Sequence, residues 1–258
     1  MASLQDELEQ LALAAWPAGA QKVRSGWVWR SNGGYTKRAN SAWVMQVDDA
    51  PVEPLLDWVE QQYAAIEQSS LLKLTDQAPE ALIQLLDRRG YRVLDPSCVM
   101  TTRLPDDVAR QPATVRLMAA DETWQSAYRQ LSGMPAGHYG PFARLLQAMP
   151  AHSGAMICRD DEVVALGLGI VQGPWLGLCD IVTHPDYRRQ GLAAQIVQAL
   201  MQYGRQQGCQ RAWLQVFEHN TAAVRLYQQA GFERVYGYHY RIKEKHLAGR
   251  DGCYQTMR

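Results

Sequence analysis

The chain has 258 residues, 47% of them hydrophobic, with 26 basic and 26 acidic side chains and no formal net charge. That length supports one large or two modest domains with a real core. No basic run suggests nucleic acid as a partner, and no apolar run reaches membrane-spanning length. The charge is uneven, however: residues 1–112 carry 11 basic and 15 acidic groups, and the remainder carry 15 and 11.

The first sixteen residues, MASLQDELEQLALAAW, are acidic and amphipathic, without the basic start and apolar centre of a signal peptide. The five cysteines are scattered and form no CxxC or Cys/His cluster. No metal site is therefore expected, and a reduced, cytoplasmic setting fits best. Residues 27–43 interleave tryptophans with Arg30, Asn32, Arg38 and Asn40, and five of the eight tryptophans lie in the first 58 residues. Such a segment is either a hairpin packing its tryptophans into the core or the wall of a substrate pocket. As a pocket, Trp29, Arg30, Arg38 and Asn40 would bind a carboxylate or other acidic acceptor. A helix is predicted over 54–66, a short strand over 71–74, a helix over 79–88 and a strand over 99–104. Residues 105–113, with two prolines and no periodicity, are expected as a linker. The expected organisation is thus an α/β domain over 1–104 and a second domain over 114–258.

In the second domain a strand is predicted over 114–117, helices over 121–131 and 141–149, and strands over 155–159 and 162–171. The apolar run Trp175–Thr183 suits a buried strand, and His184-Pro185-Asp186 breaks it. From Leu192 the pattern is helical, with Leu192, Ile196, Ala199, Leu200 and Tyr203 on one face. Between strand and helix stand Arg188, Arg189, Gln190, Gly191, Leu192, Ala193 and Ala194. A helix start offers unpartnered N–H groups and partial positive charge, so it suits an anion with many oxygens. Arg188 and Arg189 add charge for phosphate. A strand at Arg211–Phe217 follows, then a short helix between Asn220 as N-cap and Gly231 as C′ residue, and a last strand over 236–242.

The run Arg188-x-x-Gly191-x-Ala193 resembles motif A of the GNAT superfamily of acyl-CoA N-acyltransferases. Asn220, Ala223, Leu226, Tyr227, Gly231 and Phe232 resemble its motif B, N-x-x-A-x-x-L-Y-x-x-x-G-F. The resemblance covers residues 114–245 and implies a mixed, twisted sheet with flanking helices. It implies that the loop 188–194 holds the CoA pyrophosphate, and that the backbone of Ile181, Val182 and Thr183 pairs with pantetheine and polarises the thioester. Asn220 would contact pantetheine, and Tyr227 would protonate the departing thiolate. For the general base, Asp180 is the first candidate, because a carboxylate on an apolar strand has cause for a raised pKa. Glu218 and His184 follow it, and removal of the proton through water is a further route. The implied activity is transfer of acetyl from acetyl-CoA to a primary amine, on a small molecule or peptide, by direct attack. A non-catalytic acyl-CoA sensor or interaction protein and a transferase for longer acyl groups are the alternatives. Neither nucleic acid nor membrane is expected as a partner, and the chain is expected as monomer or homodimer, residues 27–43 being a candidate dimer contact.

The first half carries a faint repeat of the second. At an offset of 141, Gly90-Tyr91 falls on Gly231-Phe232, with Pro79 in place of Asn220 and Leu86 in place of Tyr227. No R-x-x-G-x-G/A precedes Pro54. The first half is expected to be a truncated GNAT-like unit without a donor site, which leaves one acyl-CoA per chain.

Overall fold

A computed structural model describes residues 3–45, 51–105, 112 and 114–245. Most of the expected linker at 105–113 and everything beyond 245 lie outside the described residues. The first half contains α1 (Leu4–Ala15), β1 (Ala20–Arg24), β2 (Trp27–Ser31), β3 (Ala42–Val44), α2 (Val52–Ala65), β4 (Ser70–Thr75), α3 (Glu80–Arg88) and β5 (Arg92–Arg103). The second contains β6 (Arg116–Met118), α4 (Glu122–Ser132), α5 (Tyr139–Ala148), β7 (His152–Arg159), β8 (Glu162–Gln172) and β9 (Trp175–Thr183). It continues with α6 (Leu192–Gln206), β10 (Arg211–Phe217), α7 (Thr221–Gln229) and β11 (Glu233–Lys243). Short 3-10 turns lie at Lys37–Ala39, Ala136–His138 and Pro185–Tyr187.

Among the described residues the eleven strands form one sheet, in the order β1-β2-β3-β4-β11-β5-β10-β9-β8-β7-β6. The two segments expected as separate domains share this sheet. The pairs β3–β4 and β9–β10 are parallel. The 141-residue offset carries α3 onto α7, β4 onto 211–216 and α2 onto 193–206. The sheet order obeys the same correspondence. β11 lies beside β4, and β5 lies beside β10, so each half places its last strand next to the other half's parallel pair.

β5 begins at Arg92, seven residues before the predicted start at 99. Asp95 and Pro96, both poor strand formers, lie before that start. In the structure they form a bulge opposite His239, where Asp95 takes φ 50 and proline is tolerated inside the sheet.

Strand alternation sorts the core onto two faces. On β4, Leu72 and Leu74 join the cluster under α2 and α3, while Leu71 joins the cluster under α1, α4 and α5. On β10, Leu214 and Val216 face α6 and α7, and Trp213 faces the other way. α6 lies close on β8: a Cβ on Gly167 would sit 2.7 Å from Ile196 Cγ2. α1 starts with a capping box, in which Ser3 Oγ accepts from Asp6 N–H at 3.1 Å and Asp6 Oδ2 accepts from Ser3 N–H at 2.9 Å. Among the described residues no helix is long and apolar enough to cross a membrane.

Candidate active site

β9 and β10 pair in register only where residues 175–178 lie against 211–214. Beyond Leu178 they part, and residues 179–182 and 215–217 line a gap between them. On its other edge β9 stays paired with β8 through a bulge, where Asp180 and Ile181 oppose Gly167. Asp180 takes φ 53 there. Bulges of this kind commonly re-aim a side chain. Thr183 closes the strand opposite Ala165.

The gap opens into a cavity of about 310 Å³. The C-cap of α1 contributes Trp16, the segment after β2 contributes Tyr35 and Arg38, α4 contributes Tyr128, and β11 contributes Tyr238 and Tyr240. The Tyr128 hydroxyl donates to Asp180 Oδ1 at 3.0 Å, while Asp180 Oδ2 is buried without a hydrogen-bond partner. Burial raises the Asp180 carboxyl above its ordinary 3.8, and Arg38 and the Tyr128 hydrogen bond only partly oppose it. Arg38 donates from Nε to Gln215 Oε1 at 2.8 Å, with its guanidinium 4.7 Å from the Trp16 ring centre.

Tyr227, on α7, lines the same cavity and packs edge-on against Phe232. Burial, with a smaller contribution from Cys179, pushes its hydroxyl up to about 12 against the opposing charge of Arg38. Asn220 caps α7, accepting from Ala223 N–H at 3.2 Å, and also lines the cavity.

Gly191 is the N-cap of α6 at φ 75, and a Cβ there would meet nothing within 4 Å. The glycine is required by the left-handed backbone and not by crowding. The first turn of α6 has no side-chain cap and no acidic residue, so its N–H groups are left for a ligand. Arg189 is also left-handed, at φ 61. Arg159, at the end of β7, donates to Gln190 Oε1 at 2.6 Å and adds a third cation beside Arg188 and Arg189.

Several sequence-derived candidates lie elsewhere. Glu218 is exposed, paired with Arg234 at 3.3 Å, and does not line the cavity. His184 accepts from Asp186 N–H at 3.3 Å as the cap of the 3-10 turn, outside the cavity. Trp29 packs on Tyr63 in the α2–α3 cluster, on the opposite face of the sheet. Arg30 is 1% exposed and donates to the carbonyls of Leu13, Trp16 and Arg38. Asn40 borders the cavity but its amide is fully engaged with the backbone of residues 32–36. Of the four residues expected to bind an acidic acceptor, Trp29, Arg30, Arg38 and Asn40, Arg38 alone brings a charge to the cavity.

A family model described as "Probable histone acetyltransferase Rv0428c C-terminal" matches residues 5–241. The chain belongs to this acetyltransferase family. A curated relative from Bacillus subtilis (strain 168), "Uncharacterized N-acetyltransferase YobR", is 29% identical over 243 residues, covering 92% of this chain and 98% of the relative. A GCN5-related N-acetyltransferase from Kribbella flavida superposes with a TM-score of 0.70 at 20% identity, over 96% of this chain and 99% of that one. A tandem GNAT protein from the clavulanic acid biosynthesis pathway superposes with a TM-score of 0.61 at 14% identity, over 95% and 89%. The protein is accordingly a GNAT-superfamily acyltransferase with N-acetyltransferase activity of the GNAT type. At this candidate site the resemblance points to the loop, the strand and Tyr227. It gives no signal for Tyr128, Gln215 or Arg159, which reach the site only through the fold, while Tyr35 falls in the segment 27–43 expected as a pocket wall.

Proposed function

We propose that the chain transfers an acetyl group from acetyl-CoA to a primary amine by direct attack of the amine on the thioester. The parting of β9 from β10 beside the uncapped start of α6 carries this reading. The first turn of α6, with Arg188, Arg189 and Arg159 around it, fits a pyrophosphate. The unpaired edges of 179–182 and 215–217 fit the amides of a pantetheine arm, which would complete their hydrogen bonds. Acetyl-CoA supplies an activated thioester carbonyl, and N–H groups along the gap are suited to polarise its oxygen.

Asp180 takes the proton from the attacking nitrogen, a task for which its raised pKa suits it better than an ordinary aspartate. Tyr227, neutral at physiological pH, gives its proton to the departing sulfur. A C–N bond forms and a C–S bond breaks; the thiol keeps the proton from Tyr227, and the proton taken by Asp180 passes through water to restore the Tyr227 phenol.

The test combines two measurements. Acetyl-CoA should raise the thermal midpoint of wild type and Tyr227→Phe alike, since any ligand of the native state stabilises it. Release of free thiol with a mixed amine panel should fall in Tyr227→Phe by about 10²-fold or more. No thermal response to acetyl-CoA would overturn the donor, and undiminished turnover would remove Tyr227 from its role.

A further inference from the structure

The cavity brings together two charges that the protein does not neutralise. Lys37 and Asp95, at its rim, pair with one another at 2.8 Å. Arg38 and Asp180 have no such partner among the described residues: neither makes a salt bridge, and they are not within ion-pair distance of each other. They approach from opposite sides of the gap. Asp180 stands on the β9 bulge, and Arg38 is held against Gln215 on β10. Asp180 Oδ2 is buried and unpartnered. Trp16, Tyr35, Tyr128, Trp213, Tyr238 and Tyr240 add aromatic rings to the wall.

We propose that the acceptor is a free α-amino acid with an aromatic or large apolar side chain. Its ammonium meets Asp180, its carboxylate meets Arg38, and its side chain lies against the aromatic wall. The proposal rests on the acetyl-transfer reading above. A zwitterion brings one charge of each sign and leaves neither Arg38 nor Asp180 uncompensated in a desolvated site. A polyamine brings several cations to a cavity with one free carboxylate. A lysine side chain of a protein brings a cation and no anion, leaving Arg38 unmatched.

The chemistry balances. The ammonium loses one proton to Asp180, the free amine attacks the thioester carbon, and the C–S bond breaks as Tyr227 protonates the sulfur. The second nitrogen proton, released as the C–N bond forms, returns through water to the Tyr227 phenolate. The product keeps its carboxylate but has lost the positive charge that Asp180 held, which favours its release.

The experiment measures thiol release from acetyl-CoA with three acceptor sets: aromatic and apolar amino acids, the amides and decarboxylated amines of the same compounds, and lysine peptides with polyamines. Amino acids should exceed their amides and decarboxylated analogues by about 30- to 100-fold in kcat/KM, the size of a lost charge-assisted hydrogen bond in a buried site. Arg38→Gln should collapse that ratio towards one, and Arg38→Lys should restore part of it. In parallel, calorimetry in the presence of CoA should detect aromatic amino acid binding to wild type and not to Arg38→Gln. Decarboxylated amines that match the amino acids would overturn this proposal and leave the acetyltransferase reading standing. Binding of acetyl-CoA without turnover of any amine would overturn both.

Discussion

The hydroxyl of Tyr128 donates to Asp180 Oδ1 at 3.0 Å, joining α4 to a bulge in β9 that lies 52 residues further along the chain. This contact satisfies one oxygen of a buried carboxylate and leaves the other bare. An ionised group so placed is destabilising, because burial outweighs its one hydrogen bond and the field of Arg38. Asp180→Asn keeps an acceptor for Tyr128 and removes the charge. It should lower kcat/KM by about 10²- to 10⁴-fold, as expected for loss of a general base. It should also raise the thermal midpoint at neutral pH. The sign follows from linkage: a carboxyl whose folded pKa lies above its unfolded value contributes stability below the unfolded value and loses it as pH rises through the folded one. Calorimetry of both proteins across pH 4 to 8, alongside thiol-release kinetics, checks both. A variant less stable than wild type at neutral pH would contradict the account of Asp180.

The same contact sets the acid limb of the pH profile. Activity requires ionised Asp180, so kcat/KM falls as pH drops through its pKa. The Tyr128 hydrogen bond lowers that pKa. Tyr128→Phe should therefore move the limb to higher pH while leaving the plateau above it within about tenfold. An unmoved limb, measured with one amine across pH 5 to 9, would assign it to another group.

The bulge also explains what the sequence could convey and what it could not. The strand Trp175–Thr183, the turn at Pro185 and the helix from Leu192 were legible because each has a local cause: apolar run, proline, 3.6-residue period. Tyr227 and Asn220 were legible only through the resemblance to GNAT motif B. The left-handed turn at Asp180 has no such signature, since an aspartate in an apolar strand looks the same bulged or straight. Arg38 and Gln215 are separated by 177 residues, and only the sheet order brings them together. Trp29 and Arg30 looked like pocket residues because aromatic–cation interleaving has the same pattern in a pocket and in a core. β2 alternation then sent Trp29 to the opposite face, and the carbonyls of Leu13 and Trp16 engaged Arg30.

Gly191 allows a test that separates backbone strain from ligand binding. A methyl group there meets nothing within 4 Å, but φ 75 is unfavourable for any L residue. Gly191→Ala should cost about 1–2 kcal/mol of stability. It should also raise KM for acetyl-CoA severalfold, because the strained turn is the one that presents the N–H groups of α6. Gly173→Ala is the control, with φ 60 and equally open space in the β8–β9 turn. It should lose similar stability with no change in KM. Equal effects of both substitutions on KM would show that the loop conformation does not matter for the donor.

A buried carboxylate fixes α1 across the centre of the sheet. Glu9 accepts from buried Lys73 on β4, at 2.5 and 2.6 Å, and from the Tyr236 hydroxyl on β11 at 2.6 Å. Lys73 is 2% exposed, and burial pulls its pKa down to about 8 despite Glu9. Removing one partner of a buried pair leaves an uncompensated charge, so Glu9→Gln should cost about 3–5 kcal/mol near pH 7. Replacing both, as Glu9→Leu with Lys73→Met, should cost much less, because no charge is then left without a partner. A lysine whose folded pKa lies below its unfolded 10.5 destabilises the fold while charged and ceases to do so as pH rises. The penalty of Glu9→Gln should therefore shrink between pH 7 and pH 10. Because α1 ends at Trp16 in the cavity wall, the same variant should weaken acceptor binding more than acetyl-CoA binding. Urea unfolding at several pH values measures the first effect, and KM for each substrate measures the second. A penalty independent of pH would mean that Lys73 is not the group left exposed to burial.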